Sequence, residues 1–288
     1  MESTNALMRV AENPAIDHVA EPLSKAVRGA YEAAGPIGTP VKNALHGVWL
    51  GHPLHPVFTD LPIGAWTTAL ALDAASNGDP GMRRAATFAI GVGLTGALGA
   101  AVTGLTDWSE TDGRSRRAGL VHGLLNLTAT ALFTTAFALR KKDSHEGGRK
   151  CAWAGYAIAV GAAYLGGDLV YDQRIGVTHA DTQFPEEFTP ILASAALADN
   201  SMVCARAGSA DVLLVRQHGR VCALAHSCAH LGGPLSEGTL KDRSVVCPWH
   251  GSEFSLEDGR VLNGPATQNQ PCLVARERDG QIEVKTLA

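Results

Sequence analysis

Apolar positions along the chain change their period twice. In residues 14–31 they fall at Ile16, Val19, Leu23, Val27 and Tyr31, one face of a helix with a repeat of about 3.6 residues. Such a helix can lie on a membrane surface or against the next domain, and its mixed charges favour surface packing. Gly35-Pro36 and Thr39-Pro40 break the pattern. Four apolar segments follow, at 57–75, 85–106, 118–139 and 151–171. Each is near the roughly 20 residues that a helix needs to cross a bilayer. Polar turns at Asn77-Gly78-Asp79-Pro80, 107–117 and 140–150 separate them. Small residues recur at every fourth position, as Gly96, Ala100 and Gly104, and as Gly155, Ala159, Ala163 and Gly167. That spacing lets helix backbones approach closely in lipid. The prediction is an all-α four-helix transmembrane bundle over 51–175, preceded by an amphipathic helix and pre-membrane segment in 1–50.

Residues 176–190 read as a linker, and beyond them the period shortens. Val212–Val215 and Val221–Leu224 flank Gln217-His218-Gly219-Arg220, a hairpin signal. Ser244–Cys247, Phe254–Leu256, Leu273–Arg276 and Ile282–Lys285 are further short strands, with turns at Asp258-Gly259 and Asp279-Gly280. Residues 191–288 therefore form an all-β domain, and the fold class is multi-domain.

Composition alters this picture little. The chain has 288 residues and a formal net charge of −4. There is no basic patch interleaved with aromatics, so no nucleic-acid partner is expected. No cleavable signal or twin-arginine export motif stands in the first forty residues. The lysine and arginine count leans slightly toward placing the chain ends outside, and the missing export signal is taken to outweigh it. The β domain, with no export signal ahead of it, is expected to stay cytoplasmic, on a multi-pass inner-membrane protein.

Four of the six cysteines, Cys151, Cys204, Cys222 and Cys272, read as packed free thiols. The other two belong to ligand pairs. Cys228-Ala229-His230 leads into Leu231-Gly232-Gly233-Pro234, and Cys247-Pro248-Trp249-His250 leads into Gly251-Ser252. Each pair offers one thiolate and one imidazole. A Rieske [2Fe–2S] centre holds one iron with two thiolates and the other with two imidazoles, which raises its potential. Ligand identity also fits a structural zinc site. The ligands sit in Gly-Pro loops between strands, however, with no helix to carry a zinc finger's histidines. Leu231, Gly232, Gly233, Pro248, Trp249 and Gly251 form the loops that would aim backbone N–H groups at the cluster. Reduction should raise the pKa of a ligand imidazole, so electron uptake at His230 and His250 is expected to couple to protons.

Through CAHLGGPL, CPWHGSEF and NGPA, residues from about 188 to 288 resemble the Rieske ferredoxin family. The resemblance implies that Cys228, His230, Cys247 and His250 are the ligands and that Pro265 lies in a third loop over the cluster. Rieske proteins of the cytochrome bc type carry an extra cysteine in each ligand loop. Gly233 and Trp249 stand at those positions, which places this chain with the ferredoxin and oxygenase group. Clusters of that group lie toward the lower end of a range of roughly −150 to +300 mV.

The helical half also carries polar residues. His52 and His55 flank prolines just before the first segment, on a stretch read as non-helical, and Asp60 follows in that segment's first turn. Asp107 closes the second segment, His122 and Asn126 share a face of the third, and Asp168 ends the fourth. Ionisable groups at membrane depth usually face a bundle interior. The functional reading is a site for haem b, a metal or a quinone, with His52 or His55 paired to His122. The bland reading is capping and interhelical hydrogen bonding. His46 and His179 are expected to be exposed. GHPLHPVFTDLPIGAW, GLTDW, HGLLN and GGDLVY resemble an uncharacterised bacterial four-helix membrane family whose members occur fused to Rieske domains. That resemblance implies an architecture and no activity.

The function expected is one-electron transfer from a membrane-anchored Rieske centre, with a redox partner protein and the lipid bilayer as partners and a quinone as a candidate third. The alternatives are a ferredoxin component serving a separate oxygenase, and a redox sensor. The two histidines and one carboxylate of a mononuclear oxygenase iron are not identified, so no catalytic residue is assigned.

Overall fold

Proline is favoured in the first turn of a helix, because the N–H it lacks is unpaired there anyway. Pro56 and Pro80 both lie in the first turns of long helices. Asp79 caps the second of these, its carboxylate accepting the Gly81 N–H at 2.6 Å. The computed structural model of the chain describes residues 6–287. It divides into two compact units. One comprises the residues up to Gly38 with Pro53–Ile175, and the other Thr39–His52 with the residues from Gly176 on.

Seven α-helices are present among the described residues, two more than the amphipathic helix and four long segments expected. Three short ones come first: α1 (Ala6–Glu12), α2 (Asp17–Ala33) and α3 (Gly38–His46). Four long ones follow: α4 (His55–Ala75), α5 (Pro80–Ser109), α6 (Gly113–Lys141) and α7 (His145–Tyr171). His55 thus opens α4, contrary to the non-helical reading, since Pro56 beside it favours a helix start. Among the described residues, only α5 and α6 are long and apolar enough to count as candidate membrane spans. Thr59, Asp60, Pro62 and Asp73 dilute α4, and tyrosines, tryptophan and glycines dilute α7. All four long helices nevertheless turn large apolar side chains outward, among them Ile63, Phe88, Leu98, Leu127 and Val160.

The helix at 14–31 forms as α2, and polar ties hold it to α5 and α6. Tyr31 Oη lies 2.6 Å from Thr106 Oγ1. Arg117 donates to the Asp17 carboxylate at 2.7 Å, and Arg116 at 3.2 Å. The Arg28 guanidinium donates to the Ser109 carbonyl. The Arg117 hydrogen bond, with Arg116 beside it, holds the Asp17 carboxyl below its ordinary pKa.

The pairs α4–α5 and α6–α7 repeat one another. Thr67-Thr68-Ala69-Leu70-Ala71-Leu72 on α4 matches Thr134-Thr135-Ala136-Phe137-Ala138-Leu139 on α6, and Gly99-Ala100-Ala101 on α5 matches Gly161-Ala162-Ala163 on α7. Equivalent residues of the two repeats touch each other. Trp66 stacks on Phe133 with ring centres 4.0 Å apart and planes 12° apart. Asp73 is bonded by Arg140, which stands 67 residues later, with one contact at 2.9 Å; both are 4% exposed. His55 and His122, at the same offset, have ring centres 6.4 Å apart. Equivalents that meet at three levels along parallel α4 and α6 define a pseudo-two-fold axis running along the helices.

The second unit is built on two sheets. Among the described residues the strands are β1 (Thr189–Ala193), β2 (Ser201–Ala207), β3 (Ala210–Gln217), β4 (Arg220–Ala225), β5 (Thr239–Lys241), β6 (Ser244–Val246), β7 (Glu253–Ser255), β8 (Val261–Asn263), β9 (Cys272–Arg278) and β10 (Gln281–Thr286). One sheet has the order β1-β10-β9-β4-β3-β2 and the other β5-β6-β7-β8. The β3–β4 hairpin turns at His218-Gly219, both with positive φ, and β9–β10 at Asp279-Gly280 likewise. The stretch 176–188 has no regular structure but is not a loose tether: Ala180 is buried in the core beneath the small sheet, with Phe184 packed against it.

Candidate metal centre

The two ligand loops share one backbone geometry. After β4, the Cys228 N–H bonds the Gly233 carbonyl at 2.9 Å and the Gly232 N–H bonds the Cys228 carbonyl at 2.8 Å. After β6, the Cys247 N–H bonds the Ser252 carbonyl at 2.8 Å and the Gly251 N–H bonds the Cys247 carbonyl at 3.2 Å. Each loop turns through a left-handed glycine, Gly232 at φ 77° and Gly251 at φ 76°, a conformation that side chains resist. The loops close on one another at Gly233, where a Cβ would stand 2.7 Å from Cys247 Sγ.

These loops set like beside like. Cys228 and Cys247 are buried, and their thiols hydrogen-bond each other. That bond, then burial, raises the Cys228 thiol. The same bond first, then the Trp249 and His250 N–H groups acting against burial, lowers Cys247 to about 6. His230 and His250 meet edge to face, ring centres 5.0 Å apart. Burial first, then the neighbouring His250, His46, His179 and Lys42, holds His230 well below its ordinary pKa. It is therefore neutral and able to ligate. Its Nδ1 is buried with no hydrogen-bond partner among the described residues. Among the described residues, the group of three donors close enough to hold a single ion is Cys204, Asp211 and His226, elsewhere on the domain. Paired thiols, paired imidazoles and an orphaned ring nitrogen fit a two-iron cluster and disfavour one tetrahedral zinc.

Three supports were not legible in the sequence. Gln270, buried, accepts the Ala229 N–H at 2.8 Å and donates to the carbonyls of Ala225 at 2.8 Å and Ser227 at 2.6 Å. Ser252 Oγ accepts the Ala266 N–H at 3.0 Å, tying the second ligand loop to the Pro265 loop. Asn43 on α3 accepts the Gly264 N–H at 3.0 Å and donates to Asn263 Oδ1 at 3.1 Å. His46, expected to be exposed, is 2% exposed beside Gly264, because α3 lies on that loop. His179 is half-buried, its N–H on the Ala229 carbonyl. Trp249 stands 57% exposed next to His250.

Of the polar residues singled out in the helical half, the structure gathers His55, His122 and Asn126. His55 Nδ1 lies 2.8 Å from the Ala100 carbonyl and His122 Nδ1 2.8 Å from that of Ala162. Asn126 Nδ2 is 3.1 Å from His122 Nε2. His52 is exposed and belongs to the other unit. Asp60 is exposed, Asp107 is half-buried, and Asp168 accepts from Gln173 at 2.6 Å with Arg114 at 3.7 Å.

Known proteins resemble the two parts separately. Residues 51–179 match a family described as a predicted membrane protein (DUF2231). Residues 187–283 match the Rieske [2Fe-2S] domain. Apoptosis-inducing factor 3 of Mus musculus is 43% identical over 58 residues, 20% of this chain and 10% of that protein. The chain thus spans about a tenth of that relative. The 3-phenylpropionate/cinnamic acid dioxygenase ferredoxin subunit of Photorhabdus laumondii is 33% identical over 75 residues, 26% of this chain and 71% of that subunit. A solved complex of reduced oxygenase and oxidized ferredoxin in carbazole 1,9a-dioxygenase aligns at 23% identity and a TM-score of 0.34, over 36% of this chain and 98% of that one. The chain is a two-part protein, joining a domain of the predicted membrane protein family DUF2231 to a C-terminal Rieske [2Fe-2S] electron-transfer domain.

Proposed function

We propose that the chain is a membrane-anchored one-electron carrier whose cluster is held by Cys228 and Cys247 on one iron and by His230 and His250 on the other. The observation that carries this reading is the matched pair of loops, each presenting one thiol and one imidazole. When bound, the cluster accepts and returns a single electron. The residues around it supply the rest. Gln270 and Ser252 fix the loops, so little reorganises when the charge changes. Burial of Cys228 and Cys247 keeps water from the sulfurs, and Trp249 offers an apolar contact for a docking redox protein.

The helical unit anchors the carrier as a four-helix multi-pass bundle in the bacterial inner membrane, with the β domain on the cytoplasmic side. The outward apolar side chains on α4–α7 support the bundle. In this reading the electron passes between a partner protein and a haem or quinone in the membrane half. The likeness to a dioxygenase ferredoxin subunit supports a second reading, in which the partner is a separate oxygenase.

The test is electron paramagnetic resonance of the reduced full-length chain in detergent. The expected result is a Rieske signal from one cluster per chain, absent in Cys228→Ser and in His250→Cys. A signal that survives either change, or none in wild type prepared without air, would overturn the assignment. A reductase and a reduced-quinone analogue, offered separately as donors, distinguish the protein partner from the quinone.

A further inference from the structure

His55 and His122 occupy equivalent places in the two repeats and meet on the pseudo-two-fold axis. The surroundings repeat as well. A Cβ on Gly104 would stand 2.7 Å from the His55 ring, and one on Gly166 would stand 3.1 Å from the His122 ring. Both repeats thus keep a glycine where the imidazole lies. A carbonyl oxygen only accepts, so the bonds to Ala100 and Ala162 place the proton on Nδ1 of both rings. Both Nε2 atoms are then lone-pair donors. An Nδ1–H bonded to a backbone carbonyl is the support that ligating histidines commonly have. In helix packing alone, nothing requires both repeats to keep the same tautomer.

We infer that His55 and His122 are the two axial ligands of a b-type haem in the helical unit. This deepens the electron-carrier reading by giving that unit its own one-electron centre. The ring separation agrees: two imidazoles on opposite sides of one metal, each bonded at roughly 2 Å, have centres about 6 Å apart, and these stand 6.4 Å apart. The donor set favours haem over a bare ion. A bare ion takes three or four protein ligands, and among the described residues no third histidine, cysteine or carboxylate joins this pair. Haem iron needs only axial ligands from the protein. The chain has no CxxCH motif for covalent attachment. Asn126, which donates to His122 Nε2, also donates to the His122 carbonyl at 3.0 Å. It therefore keeps a partner when the ring nitrogen turns to iron.

The experiment titrates detergent-solubilised full-length protein with iron protoporphyrin IX and follows the reduced-minus-oxidised spectrum and the low-spin resonance. Wild type is expected to take up one haem per chain with a sharp α band. His55→Ala and His122→Ala should each reduce stoichiometry more than tenfold while the Rieske signal and the helical circular dichroism both stay at wild-type strength, which shows that the β domain and the helical unit are each folded. Cys247→Ser should lose the Rieske signal and keep the haem, so the two readings fail independently. Wild type that takes up no haem, or haem uptake equal in all three proteins, would overturn the inference. So would zinc or copper bound one per chain with the same histidine dependence and no haem.

Discussion

Gln270 shows how much of the cluster site rests on one side chain outside the motifs. It satisfies backbone groups of Ala225, Ser227 and Ala229 at the first ligand loop, those of Ala225 and Ala229 in buried bonds. Replacing it with leucine removes the partners and keeps the bulk, leaving buried polar groups that cost ~1–3 kcal/mol each. Gln270→Leu is therefore expected to destabilise the β domain by about 3 kcal/mol and to speed cluster loss several-fold, measured by urea unfolding and by bleaching of visible absorption. Glu253 is a second such residue. Burial alone would raise its carboxyl, but hydrogen bonds from Ser244 and Asn263 and the ammonium of Lys241 outweigh that and hold it low. It joins β5, β6 and β8 through β7. Its folded-state pKa lies below the unfolded value of about 4.3, so its contribution is present above that pH and lost as pH falls through the folded value. Glu253→Gln should flatten the acid limb of stability against pH and leave pH 7–9 parallel to wild type.

Among elements, the α4–α6 contact includes a buried ion pair between helices that turn apolar side chains outward. Removing one partner strands the other charge, at a cost of about 3–5 kcal/mol. Asp73→Ala and Arg140→Ala should each lower the thermal midpoint in detergent. Because the two positions are related by the pseudo-two-fold axis, the exchanged pair Asp73→Arg with Arg140→Asp should recover most of the loss. No recovery would mean that the repeats are not interchangeable at this level. The strap formed by α3 makes a separate prediction. Asn43→Ala removes the acceptor of the Gly264 N–H, and the Pro265 loop should then exchange amide hydrogens at least tenfold faster. The strand pairs would keep their protection.

For the whole molecule, the two units should separate by function. Loss of the cluster in the double variant Cys228→Ser, Cys247→Ser is expected to leave the chain in the membrane pellet after an alkaline wash. A soluble variant would mean that the cluster, and not the outward apolar faces of α4–α7, governs retention. The boundary between the units is not one point in the sequence, because Thr39–His52 leaves the helical unit to join the β domain.

The sequence by itself determined the chemistry. Thiol and imidazole pairs in glycine loops, hairpin turns at positive-φ dipeptides and long apolar helices are local signals, written within a few residues of where they act. The strands β1, β2, β5 and β8 were missed because their pairing partners, not their own pattern, hold them extended. Helices α4 and α7 have spanning length in the sequence, but their polar and aromatic residues weaken the apolar signal. The repeat was visible in Thr67-Thr68-Ala69 and Thr134-Thr135-Ala136 but carries meaning only once α4 and α6 lie side by side. Only the tertiary structure decided that Gln270 braces a loop more than forty positions earlier in the chain, that His46 is buried, and that His55 meets His122 while His52 does not. Those are contacts between distant segments, fixed by packing, and no local pattern encodes them.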